Sequence, residues 1–131
     1  MAKTGKSDEY WRAKLSGEQY RVTRKHGTEP AWSHPLNEEK RAGVYSCVCC
    51  GAALFSSEAK YDSGSGWPSF FQPATESAVS SRADRSLFMR RTEIHCTRCE
   101  AHLGHLFDDG PQPTGLRYCM NGTALTFDPD E

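Results

Sequence analysis

The chain has 131 residues, 37% of them hydrophobic and 25% charged, with 16 basic side chains balanced against 17 acidic ones. That composition suits one globular core that buries roughly two-thirds of the unfolded surface, and it carries no basic footprint for nucleic acid. Met1 to Pro30 contains no apolar run long enough for a secretory segment or a membrane span, so the default expectation is a cytoplasmic protein without membrane contact; a monomer is expected as well. A single domain over residues 1–131 is expected, with residues 1–6 flexible.

In chain order, Ser7 before Asp8-Glu9, with Trp11 and Leu15 following, reads as a capped short helix. Ser16-Gly17-Glu18-Gln19 repeats the signal as a capping box, and Gly27 is the expected stop. Thr28 to Gly43, broken by Pro30 and Pro35, reads as a connecting loop. Short apolar or alternating runs follow at Val44–Val48, Ala52–Phe55, Ser77–Arg82, Ser86–Cys96, Leu116–Met120 and Thr123–Phe127. Asn121-Gly122 predicts a hairpin turn between the last two. The fold class is therefore mainly β with short N-terminal helices: a small antiparallel barrel, or two packed antiparallel sheets, around a four-cysteine zinc site.

Six cysteines in a reducing compartment point to metal or redox chemistry rather than a disulfide framework. Cys47/Cys50 and Cys96/Cys99 form two C-x-x-C pairs separated by 45 residues, each following a predicted strand. Four thiolates at about 2.3 Å complete a tetrahedral zinc shell and leave no open position, so the expected role is structural. One pair could instead be a thioredoxin-like redox motif, although neither opens a long helix in a βαβ unit. Cys49 lies inside the first pair and is an alternative ligand; the two-residue spacer before Gly51 favours Cys47 and Cys50.

Cys119 remains outside both pairs, in Arg117-Tyr118-Cys119-Met120-Asn121. On a strand, Arg117, Cys119 and Asn121 share one face, and a guanidinium beside a thiol favours the reactive thiolate. His102 and His105, in His102-Leu103-Gly104-His105, offer polar groups that could bond or protonate a substrate oxygen, and equally could be metal ligands or surface residues. In Ser63-Gly64-Ser65-Gly66-Trp67-Pro68-Ser69-Phe70-Phe71, Trp67 is placed to form an apolar wall, whereas Phe70 and Phe71 read as core. A zinc-ribbon binding module and a disulfide-directed thiol oxidoreductase are the competing readings.

Taken together, Tyr45-x-Cys47-x-x-Cys50-Gly51, Lys60-Tyr61-x-Ser63-Gly64-x-Gly66-Trp67-Pro68-Ser69-Phe70, His102-Leu103-Gly104-His105 with Asp109-Gly110-Pro111, and Arg117-Tyr118-Cys119-x-Asn121 resemble the methionine sulfoxide reductase B family over essentially the whole chain. The resemblance implies reduction of the R epimer of methionine sulfoxide, through attack by Cys119 and a sulfenic acid intermediate, in the repair of oxidised proteins and peptides. It also implies that Arg117 assists ionisation, that His102, His105 and Asn121 form the polar side of the pocket, and that Trp67 holds the S-methyl group. Many family members carry a resolving cysteine where this chain has Ser65. Recycling then falls to Cys49 or to an external thiol: thioredoxin, glutaredoxin or a small molecule.

Overall fold

The computed structural model describes residues 6–84 and 91–130. Both opening helices form where their caps predict. In α1 (Asp8–Lys14) the Ser7 side chain accepts from the Tyr10 N–H, acidic residues occupy the first turn, and Arg12 and Lys14 occupy the last, as the helix dipole favours. In α2 (Gly17–Arg24) Ser16 Oγ accepts from Gln19 N at 3.1 Å and Gln19 Oε1 accepts from Ser16 N at 2.9 Å, a complete capping box. The Gly27 N–H closes the end by donating to Arg21 O. Trp11, Leu15 and Val22 are the buried apolar side of this pair. The expected flexible start lies outside the described residues except for Lys6, whose ammonium sits 5.1 Å from the Tyr10 ring centroid.

Residues 28–43 form the expected connection, with one 3-10 turn at Pro35–Glu38 capped by His34 Nδ1. The strands then follow as β1 (Gly43–Cys47), β2 (Ala53–Ser56), β3 (Lys60–Tyr61), β4 (Ser69–Phe70), β5 (Val79–Asp84), β6 (Arg91–Cys96), β7 (His102–Phe107), β8 (Arg117–Met120) and β9 (Leu125–Pro129). They build two antiparallel sheets, one ordered β2-β1-β9 and the other β3-β4-β8-β7-β6-β5. The part of the expected strand at residues 86–90 lies outside the described residues.

An aromatic cluster joins the sheets. Phe55 of β2 stacks on Phe70 of β4 at 4.3 Å between centroids, and Tyr45 of β1 meets Phe70 edge-on at 5.1 Å. All three are fully buried. Rings of this size bury a large apolar area and their edge-to-face contacts add to it, so the cluster is a strong apolar bond between the sheets.

Two expectations are corrected. Asn121-Gly122 is not a hairpin turn: β8 pairs with β4 and β7, β9 pairs with β1, and the intervening Gly122–Ala124 forms a 3-10 turn that carries the chain between sheets. The local Asn-Gly preference yields there to a tertiary partner, because the buried Glu29 carboxylate accepts from Gly122 N, Thr123 N and Thr123 Oγ1 at 2.7–2.8 Å. Residues 102–107, read only as a histidine motif, form the central strand β7. Gly104 obscures its strand pattern, yet a Cβ there would lie 2.1 Å from the Cys119 carbonyl oxygen, so close pairing of β7 with β8 requires glycine.

Ser16→Ala should cost about 1 kcal/mol and lower the thermal midpoint by a few degrees, whereas Ser16→Gly should cost only a few tenths. Calorimetry of the two variants checks the order; equal costs would show that the cap's hydrogen bonds contribute little.

Candidate active site and metal centre

The two C-x-x-C pairs occupy the tips of two hairpins, one from each sheet: β1–β2 and β6–β7. Their backbones match. Cys47 N donates to Ala52 O and Gly51 N to Cys47 O, and Cys96 N likewise donates to Ala101 O and Glu100 N to Cys96 O. The fifth residue of each turn has positive φ, 80° at Gly51 and 65° at Glu100. This turn brings Cys47 Sγ to 3.6 Å from Cys99 Sγ and Cys50 Sγ to 3.6 Å from Cys96 Sγ, with all four sulfurs within 4.8 Å of one another.

Sulfurs about 2.3 Å from one ion at tetrahedral angles stand about 3.8 Å apart, so the quartet fits zinc geometry without bridging as disulfides. Hydrogen bonding to neighbouring sulfurs, Cys49 first, together with burial, pushes the Cys47 thiol upward. A hydrogen bond from Cys47 pulls Cys96 down. Four thiolates this close repel one another, which a bound dication would offset. Cations from the helices face this cluster: Arg24 donates to Cys99 O at 2.8 Å and approaches Cys99 Sγ at 3.5 Å, and Lys14 Nζ donates to Cys49 O.

Cys119 lies elsewhere, in a cavity of about 360 Å³ lined by Ser65, Trp67, His105, Arg117 and Asn121 among others. The strand reading of β8 holds. Arg117 and Cys119 face the cavity, whereas Tyr118 packs toward Phe55 and Met120 is fully buried in the core. Register builds the rest of the site, since Ser69 of β4 and His105 of β7 are the direct cross-strand partners of Cys119. Glu93 pairs with His105 and Arg82 with Glu93, so one polar row crosses the sheet from β4 to β5.

The charge balance at Cys119 differs from the sequence expectation. Burial pushes the thiol above its ordinary value, opposed first by hydrogen bonding to Ser65 and then by the charge of Arg117. Arg117 is partly engaged elsewhere: its Nε and Nη2 donate to Asp109 at 2.8 and 3.2 Å, and its guanidinium lies 4.3 Å from the Phe107 ring centroid.

Asn121 is buried with its amide committed to the backbone, Oδ1 accepting from Glu29 N and Nδ2 donating to Leu103 O, each at 3.0 Å. Trp67 is half-buried and its Nε1 donates to Glu29 O at 2.9 Å. His102 is not in the cavity wall but behind it, its ring 5.4 Å from that of His105. Its Nδ1 is 2.7 Å from Glu93 Oε2, and burial lowers its pKa despite that carboxylate. Cys49 is fully buried beside the four-cysteine cluster, where hydrogen bonding with Cys47 pulls its thiol down.

Several residues of this site escaped the sequence reading. Glu29 fixes Trp67, Asn121 and the 121–123 turn at once, and no local pattern marks it. Ser69 was legible only as part of the glycine-rich loop, and Glu93 only as an ordinary strand acid. Asp109 opens the Asp109-Gly110-Pro111 motif, which could have suggested the partner of Arg117.

Two outcomes follow. Chelation strong enough to strip an ion from four thiolates should lower the thermal midpoint far more than Ser16→Ala does, because structural thiolate sites carry about 10–16 kcal/mol in small peptides. Alkylation of Cys119, followed by peptide mass spectrometry, should accelerate with pH about a midpoint above the ordinary thiol value of about 8.5. Arg117→Met should move that midpoint higher still; a lower one would contradict the assigned electrostatics.

Among the described residues, no helix is long and apolar enough to cross a membrane. Residues 15–129 match the SelR domain model. The chain is 57% identical over 127 residues to the peptide methionine sulfoxide reductase MsrB of Hahella chejuensis, covering 97% of this chain and 91% of that protein. It is 55% identical over 131 residues to the protein of the same name from Acinetobacter baumannii, and 53% to that from Acinetobacter baylyi, covering all of this chain and 94% of each relative. With the domain match and these identities spanning the site just described, the chain belongs to the SelR-domain family of MsrB-type oxidoreductases.

Proposed function

We propose that this protein reduces the R epimer of methionine sulfoxide in peptides and proteins to methionine, with Cys119 as the attacking residue. The carrying observation is the register that sets Cys119 between Ser69 and His105 at a cavity also walled by Trp67, Arg117 and Asn121. The substrate's S-methyl group would lie against the Trp67 ring, and its oxygen toward His105 and Asn121.

The Cys119 thiolate attacks the sulfoxide sulfur, and a proton from His105, directly or through water, stabilises the departing oxygen. The sulfur–sulfur bond of this adduct and the sulfur–oxygen bond then break as the oxygen, with the donated proton, passes to Cys119 Sγ, so methionine leaves reduced by two electrons and Cys119 is oxidised to the sulfenic acid. Arg117 favours the thiolate against the cost of burial. Ser65 and Ser69 supply further hydrogen-bonding hydroxyls, Ser65 Oγ being 3.8 Å from Cys119 Sγ. His102, anchored on Glu93, positions and backs His105. Cys47, Cys50, Cys96 and Cys99 would hold one zinc ion as architecture, closing all its positions with sulfur.

Recycling is assigned to an external thiol. Ser65 Oγ lies 3.8 Å from the attacking sulfur and cannot form a disulfide, while Cys49 is fully buried beside the four-cysteine cluster. A thiol of thioredoxin, glutaredoxin or a small molecule condenses with the sulfenic acid, releasing water and a mixed disulfide, and a second thiol frees Cys119. A reducing cytoplasm, which spares metal-binding thiols and supplies this reductant, is the setting that fits, and a monomer suffices.

The test is turnover of a peptide carrying a racemic sulfoxide. The parent should consume the R epimer and leave the S epimer, and Cys119→Ser should abolish the reaction; activity retained in that variant, or none in the parent, removes the reading and favours a binding module. Exposed to substrate without reductant, the parent should gain one oxygen on Cys119. Ser65→Cys should instead lose two hydrogens by linking position 65 to Cys119, whereas a Cys49–Cys119 linkage in the parent would overturn the external route.

A further inference from the structure

Behind the cavity, where the end of α2 meets β6 and β7, a second group of ligating side chains converges. Glu93 is 4% exposed, and three side chains share its carboxylate. Arg82 Nε donates to Oε1 at 2.8 Å, while His26 Nε2 and His102 Nδ1 lie 3.3 and 2.7 Å from Oε2. A carboxylate this deep needs a charge partner, and Arg82 supplies one. Two imidazoles gathered on the other oxygen exceed that requirement.

We propose that His26, Glu93 and His102 form a binding site for a divalent first-row metal ion, separate from the four-cysteine centre. The three donor atoms all lie within 4.8 Å of one another. Nitrogen and oxygen ligands about 2.1 Å from an ion stand about 3.0 Å apart at octahedral angles and about 3.4 Å apart at tetrahedral angles. The His26–Glu93 separation of 3.3 Å already falls in that range, and the His102–Glu93 separation of 2.7 Å must open by only a few tenths of an ångström.

The surroundings suit the role. His26 follows the end of α2 in the left-handed region at φ 57°, a conformation costly for a non-glycine residue, and there its ring comes within 5.2 Å of the His102 ring, centroid to centroid. Its side chain is 61% exposed, so one side of the site is open to solvent for entry and for water as further ligand. Arg82 on the outer carboxylate oxygen is the kind of partner that orients a ligating carboxylate. Two imidazoles and a carboxylate select zinc and its neighbours over magnesium or calcium.

Ligation also balances in protons. With His102 neutral, its Nδ1 hydrogen bonds Glu93; coordination through Nδ1 moves that hydrogen to Nε2, which is buried without a partner among the described residues, and no proton is lost. An occupied site thereby holds His102 in a single tautomer beside His105. The binding itself does not depend on the reaction assigned to the cavity.

Protein with its four-cysteine centre filled by zinc is titrated with Co²⁺ and followed by visible absorption and isothermal calorimetry. One further equivalent should bind, with weak ligand-field bands and no thiolate-to-cobalt charge transfer. His26→Ala, a change at an exposed side chain, should keep the first zinc and the thermal midpoint yet weaken the additional site more than tenfold. No further equivalent in the parent, unchanged affinity in His26→Ala, or a thiolate charge-transfer band each overturns the assignment.

Discussion

The quartet of sulfurs is the constraint on which the rest of the molecule depends. Sheets of three and six strands meet across an aromatic cluster, but apolar contact alone is non-directional and tolerates sliding. The hairpin tips at Cys47–Cys50 and Cys96–Cys99 can supply the missing direction, because one ion held tetrahedrally by their four sulfurs would permit a single relative placement. The helices belong to the same assembly. Arg24 spans from the Trp11 ring, 4.5 Å away, to Cys99, so the capped helices close over the cluster and offset its charge.

From that anchor the architecture of the pocket follows through register. β6 and β7 emerge from the second tip, β8 pairs with β7, and Gly104 lets β8 approach closely enough for Cys119 to face His105. A one-residue slip would turn the thiol toward the core and bring Met120 into the cavity. Glu29 provides a second brace from the opposite direction. One buried acid holds the turn beyond Asn121 through its carboxylate and the Trp67 indole through its carbonyl, so the apolar and polar walls are fixed by the same residue.

What could be read in advance divides along physical lines. The helix caps, the cysteine quartet and the facing of Cys119 depend on short spacings or a two-residue period, and these survive into the structure. Strand β7 was hidden because Gly104 interrupts its pattern for a reason that only the neighbouring strand reveals. The Asn121-Gly122 turn was misread because its conformation is set by Glu29, more than 90 residues away in sequence. The ionisation of Cys119 was legible only in part: adjacency exposed Arg117, which does favour the thiolate, but neither the depth of burial nor Asp109 as the arginine's partner could be weighed from a linear string.

The matching turns at the two hairpin tips differ in one respect. At the equivalent left-handed position the first tip has Gly51, which meets no steric objection, and the second has Glu100, whose Cβ makes that backbone costlier by about 1–2 kcal/mol. The first tip thus takes its shape without strain, while the second takes the same shape at a cost, held by its own turn hydrogen bonds. If the four thiolates hold an ion, its removal would relieve that cost at Glu100 and not at Gly51, so the β6–β7 tip is the one that would gain by opening.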